Sequence, residues 1–242
     1  DGSQAGGTPL MKESGGTTDA TINGVNIGKG ANSVAGNTVL GELALDAAVT
    51  GIDNTAVGHN SLTANTSGRQ NAAFGKDALL TNTTGHENTA IGPFSLKLNT
   101  DGTANTAVGY GALNKNTTAD NNVAVGRLAL QENTTGTQNT AVGAEALDAN
   151  TTGSFNSSLG LSALGGNTTG DYNTAVGRAA LSANTTADNN TAVGYGALQV
   201  NTTGVNNVAV GSLCLDANTT GFHNTAVGLQ ALSANTTASN NT

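Results

Sequence analysis

Residues Asn105 to Asn121 read Asn-Thr-Ala-Val-Gly-Tyr-Gly-Ala-Leu-Asn-Lys-Asn-Thr-Thr-Ala-Asp-Asn. The same seventeen-residue pattern recurs without a slip from Asn37 to the end of the chain. With Asn105 as position 1, that position is Asn in every unit from Asn37 to Asn241. Position 5 is Gly from Gly41 to Gly228, and position 9 is Leu from Leu45 to Leu232, in every complete unit. Positions 3 and 8 are small and almost always Ala. Position 4 is aliphatic or Phe: Leu40, Val57, Phe74, Ile91, then mostly Val. Positions 12 and 13 are Asn-Thr in every complete unit but the first, where Ala48 and Val49 stand. A strict period of this length means a solenoid or stacked array.

Comparison among the units separates what a coil needs from what it tolerates. Positions 6, 7, 10, 11, 16 and 17 vary freely and read as mostly exposed. Thr-Ala-Val at positions 2 to 4 reads as a short strand whose copies pair in parallel, about 4.8 Å apart. Gly at position 5 permits a turn or a close backbone approach. Positions 6 to 10 read as a helical turn or a second short strand, the helical turn being favoured because β-branched residues are rare there. Asn-Thr-Thr-Gly at positions 12 to 15 reads as a turn. Ala replaces the position-15 Gly at Ala119, Ala187 and Ala238, and Asp-Asn or Ser-Asn then follows. This pattern suggests a left-handed residue that can shift along the turn, since Asn tolerates positive φ. Stacking would place the Asn residues of positions 1 and 12 in two ladders of amides. One Leu, one Val and two Ala per coil make a thin core, which favours a core shared between chains.

The expected fold is therefore all-β: a β-solenoid of stacked 17-residue coils, assembled as an intertwined or side-by-side homotrimer. Residues 1–19 are rich in Gly, Ser and Thr and read as a flexible linker. Residues 20–36 read as a lead-in that covers the open end of the first coil, as repeat arrays require. Residues 37–242 hold twelve repeats and the start of a thirteenth. Twelve coils would make a rod about 60 Å long.

Composition narrows the function. Aromatic residues are 3% and charged residues 10%, so this is no ordinary globule. Net charge is −8, and only eight Lys and Arg are spread along the chain, which argues against nucleic-acid binding. No apolar run is long enough to span a membrane. The single Cys214 allows no internal disulfide.

The unit Asn-Thr-Ala-Val-Gly-x-x-Ala-Leu-x-x-Asn-Thr-Thr-Gly resembles repeats in the fibrous regions of phage tail fibres and tailspikes. It is more distantly similar to the head repeats of trimeric autotransporter adhesins. The lead-in Ala20-Thr-Ile-Asn-Gly-Val-Asn-Ile-Gly28 resembles the entry to the phage-type arrays. The resemblance covers residues 20–242. It implies a homotrimeric, extracellular or virion-surface rod. In the phage proteins such arrays often precede a self-cleaving chaperone domain. That domain is absent up to Thr242, so truncation, maturation, or completion of the coil by another subunit is expected.

No catalytic, cofactor-binding or metal site is expected, and no cofactor. His59, His86 and His223 fall at positions 6, 16 and 17 of different units. Asp and Glu form no recurring pair of the kind a glycosidase needs. Cys214 replaces the small residue of position 8 and reads as an inert core thiol. Tyr110, Phe155, Tyr172, Tyr195 and Phe222 sit at variable positions, where they could stack on sugar rings. Asn-Thr-Thr matches the glycosylation sequon, but the turn and ladder explain it without a glycan.

The functional expectation is a non-enzymatic structural fibre, the shaft or head of an adhesin or tail fibre, mediating attachment. Its expected partners are other copies of itself and a cell-surface glycan or protein receptor. The alternatives are a self-assembling extracellular filament, and a glycan- or ice-binding module using Thr at positions 2, 13 and 14.

Overall fold

The computed structural model describes residues 19–242. The expected linker over 1–19 lies outside the described residues, except for Asp19. Strands β3 (Thr38–Gly41) to β14 (Thr225–Val227) are twelve short parallel strands, one per unit. Each pairs with the next in strict register, so that Thr106, Ala107 and Val108 face Val123, Ala124 and Val125. With β1 and β2 they form one fourteen-stranded sheet in chain order. The chain is an all-β parallel solenoid with one coil per seventeen residues. There is no α-helix among the described residues.

From β4 to β14 each strand is three residues long because its borders are fixed. Gly109 at position 5 has φ +133, and a Cβ there would lie 2.5 Å from the Gly126 carbonyl oxygen of the next coil. The position-5 backbones therefore pack against each other, and only Gly permits both the angle and the approach.

Alternation in the strand places one residue inward and two outward. Ala at position 3 is inward and fully buried, as at Ala107, Ala124 and Ala141. Position 4 is outward: Leu40 is 45% exposed, Ile91 43% and Leu159 51%. This corrects the expectation that Val contributes to a coil's own core. The core is instead a column of Leu at position 9, from Leu45 to Leu215, flanked by Ala at positions 3 and 8. Leu232 of the last coil is 38% exposed, because no further coil covers it. Stacking, not the single coil, is what buries the Leu.

Positions 6 to 10 form neither a helical turn nor a second strand. Position 9 is left-handed in every complete coil, as at Leu113 (φ 50) and Leu130 (φ 51). Position 7 is left-handed as well, for instance Leu128 (φ 59) and Gly111 (φ 65). Left-handed residues interrupt the run of right-handed ones a helix needs. The backbone instead bonds to the next coil, through Leu113 N–H to the Ala129 carbonyl and Lys115 N–H to the Gln131 carbonyl, each at 3.0 Å.

The third left-handed position is 17, in all twelve complete coils, from Asp53 (φ 60) to Asn240 (φ 61). It does not shift when position 15 is Ala: Asn121 and Asn189 have φ 59 and 58. The residues that accompany Ala have a different task. Asp120 Oδ1 accepts the Thr103 N–H at 2.6 Å, and Asp188 Oδ1 accepts the Asp171 N–H at 2.7 Å, each reaching back one coil.

Both expected Asn ladders are present. At position 1, Asn88 donates its backbone N–H and its Nδ2 to Asn71 Oδ1, at 3.0 and 3.2 Å. At position 12, Asn99 Nδ2 donates to Asn82 Oδ1 at 2.8 Å. These side chains are fully buried within the stack, where an unpaired amide would be costly. Thr at position 13 adds a third ladder, with Thr134 Oγ1 donating to the Thr151 carbonyl at 2.9 Å.

The first coil is covered by a hairpin. β1 (Ala20–Ile22) pairs antiparallel with β2 (Val25–Gly28), and β2 pairs antiparallel with β3. Ala31 N–H donates to the Leu45 carbonyl at 3.1 Å, and Val34 packs on the core. Asp19 belongs to this lead-in, because its carboxylate accepts the N–H groups of Lys29 and Gly30 at 2.6 and 2.8 Å.

Candidate interaction surfaces

With three positions inward and the Asn residues locked in ladders, interaction chemistry falls to the outward columns. Four such surfaces run along the rod. The first is the outer face of the sheet, formed by positions 2 and 4. Its position-4 column is apolar throughout, and its position-2 column is Thr, Ser, Ala or Val; neither contains a charged residue in any coil. The second is Thr at position 14, exposed at Thr118, Thr135, Thr152, Thr169, Thr186 and Thr203.

The third surface comprises positions 6, 7, 10 and 11 and carries all four ion pairs found among the described residues. Lys115 Nζ lies 2.6 Å from Glu132, Arg127 lies 2.6 Å from Glu145, and Lys97 lies 3.7 Å from Asp77. The exposed pairs, Lys115–Glu132 and Arg127–Glu145, add little stability, on the order of 0–1 kcal/mol each. Beside them, burial raises the Asp148 carboxyl above its ordinary value, and the charges of Glu145 and Glu132 push it the same way. The fourth surface, positions 16 and 17, holds Phe155 and Tyr172, whose rings stack at 4.8 Å and 2°.

The residues weighed individually in the sequence are scattered. His59 lies 4.0 Å from Glu42, and His223 Nε2 lies 3.3 Å from Asn206 Nδ2. No group of three or more metal-ligating side chains comes together among the described residues. Cys214 is buried; its Sγ donates to the Ala226 carbonyl at 3.1 Å, and desolvation pushes the thiol up. The raised value favours the thiol over the nucleophilic thiolate. Tyr195 lies under Arg178, 5.6 Å from ring centroid to guanidinium, and Phe222 meets His223 edge to face.

One cluster escaped the sequence reading. Phe94 has Lys97 and Lys76 ammonium groups 5.1 and 5.8 Å from its ring centroid, and Tyr110 edge-on at 5.5 Å. The signal was present: Lys76, Pro93 and Tyr110 share position 6, seventeen residues apart, and Phe94 follows Pro93.

The fold and these surfaces define a parallel β-solenoid with an uncharged sheet face. No protein-family model, curated protein or solved structure matches the chain.

Proposed function

We propose that this chain is a non-enzymatic structural rod, the shaft or head of an extracellular or virion-surface attachment fibre, assembled side by side as a homotrimer. The observation that carries this reading is the outward apolar column of position 4. A regular, uncharged, apolar stripe along a whole molecule is the kind of surface that marks an interaction site. A second copy offers the same stripe at the same coil spacing, so the two match along their length. Three chains follow from the likeness of the repeat to trimeric fibre repeats.

Sedimentation equilibrium of the purified chain tests the proposal. A mass three times 23.7 kDa is expected, and a stable monomer of that mass overturns it. Val125→Lys together with Val142→Lys should dissociate the assembly while the β circular-dichroism signal of each coil persists.

A second reading, a binding face for ice, is favoured by the exposed Thr column at position 14. The hydroxyls of position 13 are already committed to the next coil's carbonyls. The exposed column must therefore supply the contacts. A thermal-hysteresis assay tests it, and no hysteresis removes it.

A further inference from the structure

We propose that Lys76, Phe94, Lys97 and Tyr110 form a binding site for a saccharide bearing a single carboxylate, such as a terminal uronic acid. This deepens the attachment part of the proposed function by naming the chemistry that is bound. The four residues lie on three consecutive coils. The Phe94 ring is at the centre, with two ammonium groups within 6 Å of its centroid and the Tyr110 ring against its edge. Tyr110 is 52% exposed.

Two ammonium groups and two aromatic rings converge at this patch. Lys97 has Asp77 at 3.7 Å, whereas Lys76 has no carboxylate at ion-pair distance among the described residues. One uncompensated ammonium therefore stands beside aromatic surface in a chain of net charge −8. Phe94 has φ +62, the left-handed conformation that position 7 adopts in every coil. Two other coils, those of Tyr110 and Tyr195, place Gly at the same position. The coil thus has no need of an aromatic residue there.

The chemistry selects the ligand. An aromatic face suits the C–H face of a pyranose ring, and the ammonium beside it suits a carboxylate on that ring. A neutral sugar would leave Lys76 without a counter-charge. A long polyanion, nucleic acid included, would meet the repulsion of the whole acidic chain beyond two lysines.

The test is titration of the intact chain, followed by NMR, with a trisaccharide ending in glucuronic acid and with its glucose-terminated counterpart. Expected are shifts of the Phe94 and Tyr110 ring protons with the acidic sugar, and binding about tenfold weaker for the neutral one. Phe94→Gly should abolish binding while the fold persists, since Gly is native at 111 and 196. Lys76→Gln should weaken binding of the acidic sugar by about tenfold and leave the neutral one unchanged. Absence of binding, equal binding of both sugars, or unchanged binding by Phe94→Gly overturns the proposal. None of the four residues belongs to the position-2 or position-4 columns. Sedimentation therefore reports on self-association separately, and either idea can fail alone.

Discussion

Asn82 Nδ2 donates to Asn65 Oδ1 at 2.9 Å and to the Gly85 carbonyl at 3.0 Å. The Gly85 carbonyl also accepts Asn71 Nδ2 at 2.9 Å, so one position-15 oxygen ties the two Asn ladders together in every such coil. Both lone pairs of that oxygen are used, and Asn82 Oδ1 in turn accepts Asn99 Nδ2. Asn82→Ala removes three hydrogen bonds at a fully buried site. It should destabilise by about 2–4 kcal/mol, because the groups left behind have no water to replace it. Since each coil contacts only its neighbours, hydrogen exchange should show protection lost first in coils 54–104. Uniform loss along the rod would contradict this.

The two glycine columns differ in a way that single substitutions can measure. Gly109→Ala meets both a φ of +133 and a neighbouring backbone carbonyl, and should cost about 3 kcal/mol or more. Gly136→Ala also sets a Cβ against a backbone carbonyl, that of Gly153 in the next coil, but it meets no positive φ, and positions 119 and 187 already carry Ala. There the accommodation is local: Thr118 and Thr186 lack the bond to the next coil's Thr carbonyl that Thr135 and Thr152 make. Losing one hydrogen bond should cost about 1 kcal/mol. Urea denaturation of the two variants compares them directly, and equal costs would refute the distinction.

The period, the strands and both ladders are legible in the sequence for one physical reason. A residue in a stacked coil has its own equivalents as neighbours, so spacing alone places Asn82 against Asn99. Which face of the strand points inward is not legible in the same way. Thr106-Ala107-Val108 alternates, and hydrophobicity favours Val as the buried residue. The interior beside a column of Leu favours a small residue, Ala in most coils, so Val108 turns outward and the apolar stripe moves from the coil's core to its outer face. The left-handed Leu113 is equally hidden, since a Leu is a poor candidate for positive φ. The Lys76–Phe94–Lys97 cluster is missed when units are read singly, because its members belong to different coils.

Asp148 makes stability depend on pH. Its carboxyl is raised in the folded chain above the ordinary value of 3.8, first by desolvation and then by Glu145 and Glu132. The folded state therefore holds the proton where the unfolded state has released it. Stability falls as pH rises from 3.8 through the raised value, and the loss is complete above it. Asp148→Asn should melt higher than the parent chain at neutral pH and should match it below about pH 3, where both forms are uncharged. A melting-temperature series against pH checks this, and a benefit that persists in acid would point to a cause other than ionisation.

The buried Leu column tests whether neighbours, not the coil itself, supply the core. Leu147 is fully buried between two coils, whereas Leu232, at the equivalent position of the last coil, is 38% exposed. Leu147→Ala should cost about 2–5 kcal/mol, combining lost transfer energy with the cavity left in a stack that cannot collapse. Leu232→Ala should cost only about 1 kcal/mol, because its side chain is already partly in water. Denaturant melts of the two variants give the difference. If the two costs are equal, Leu232 is covered in solution, as Leu147 is within the stack.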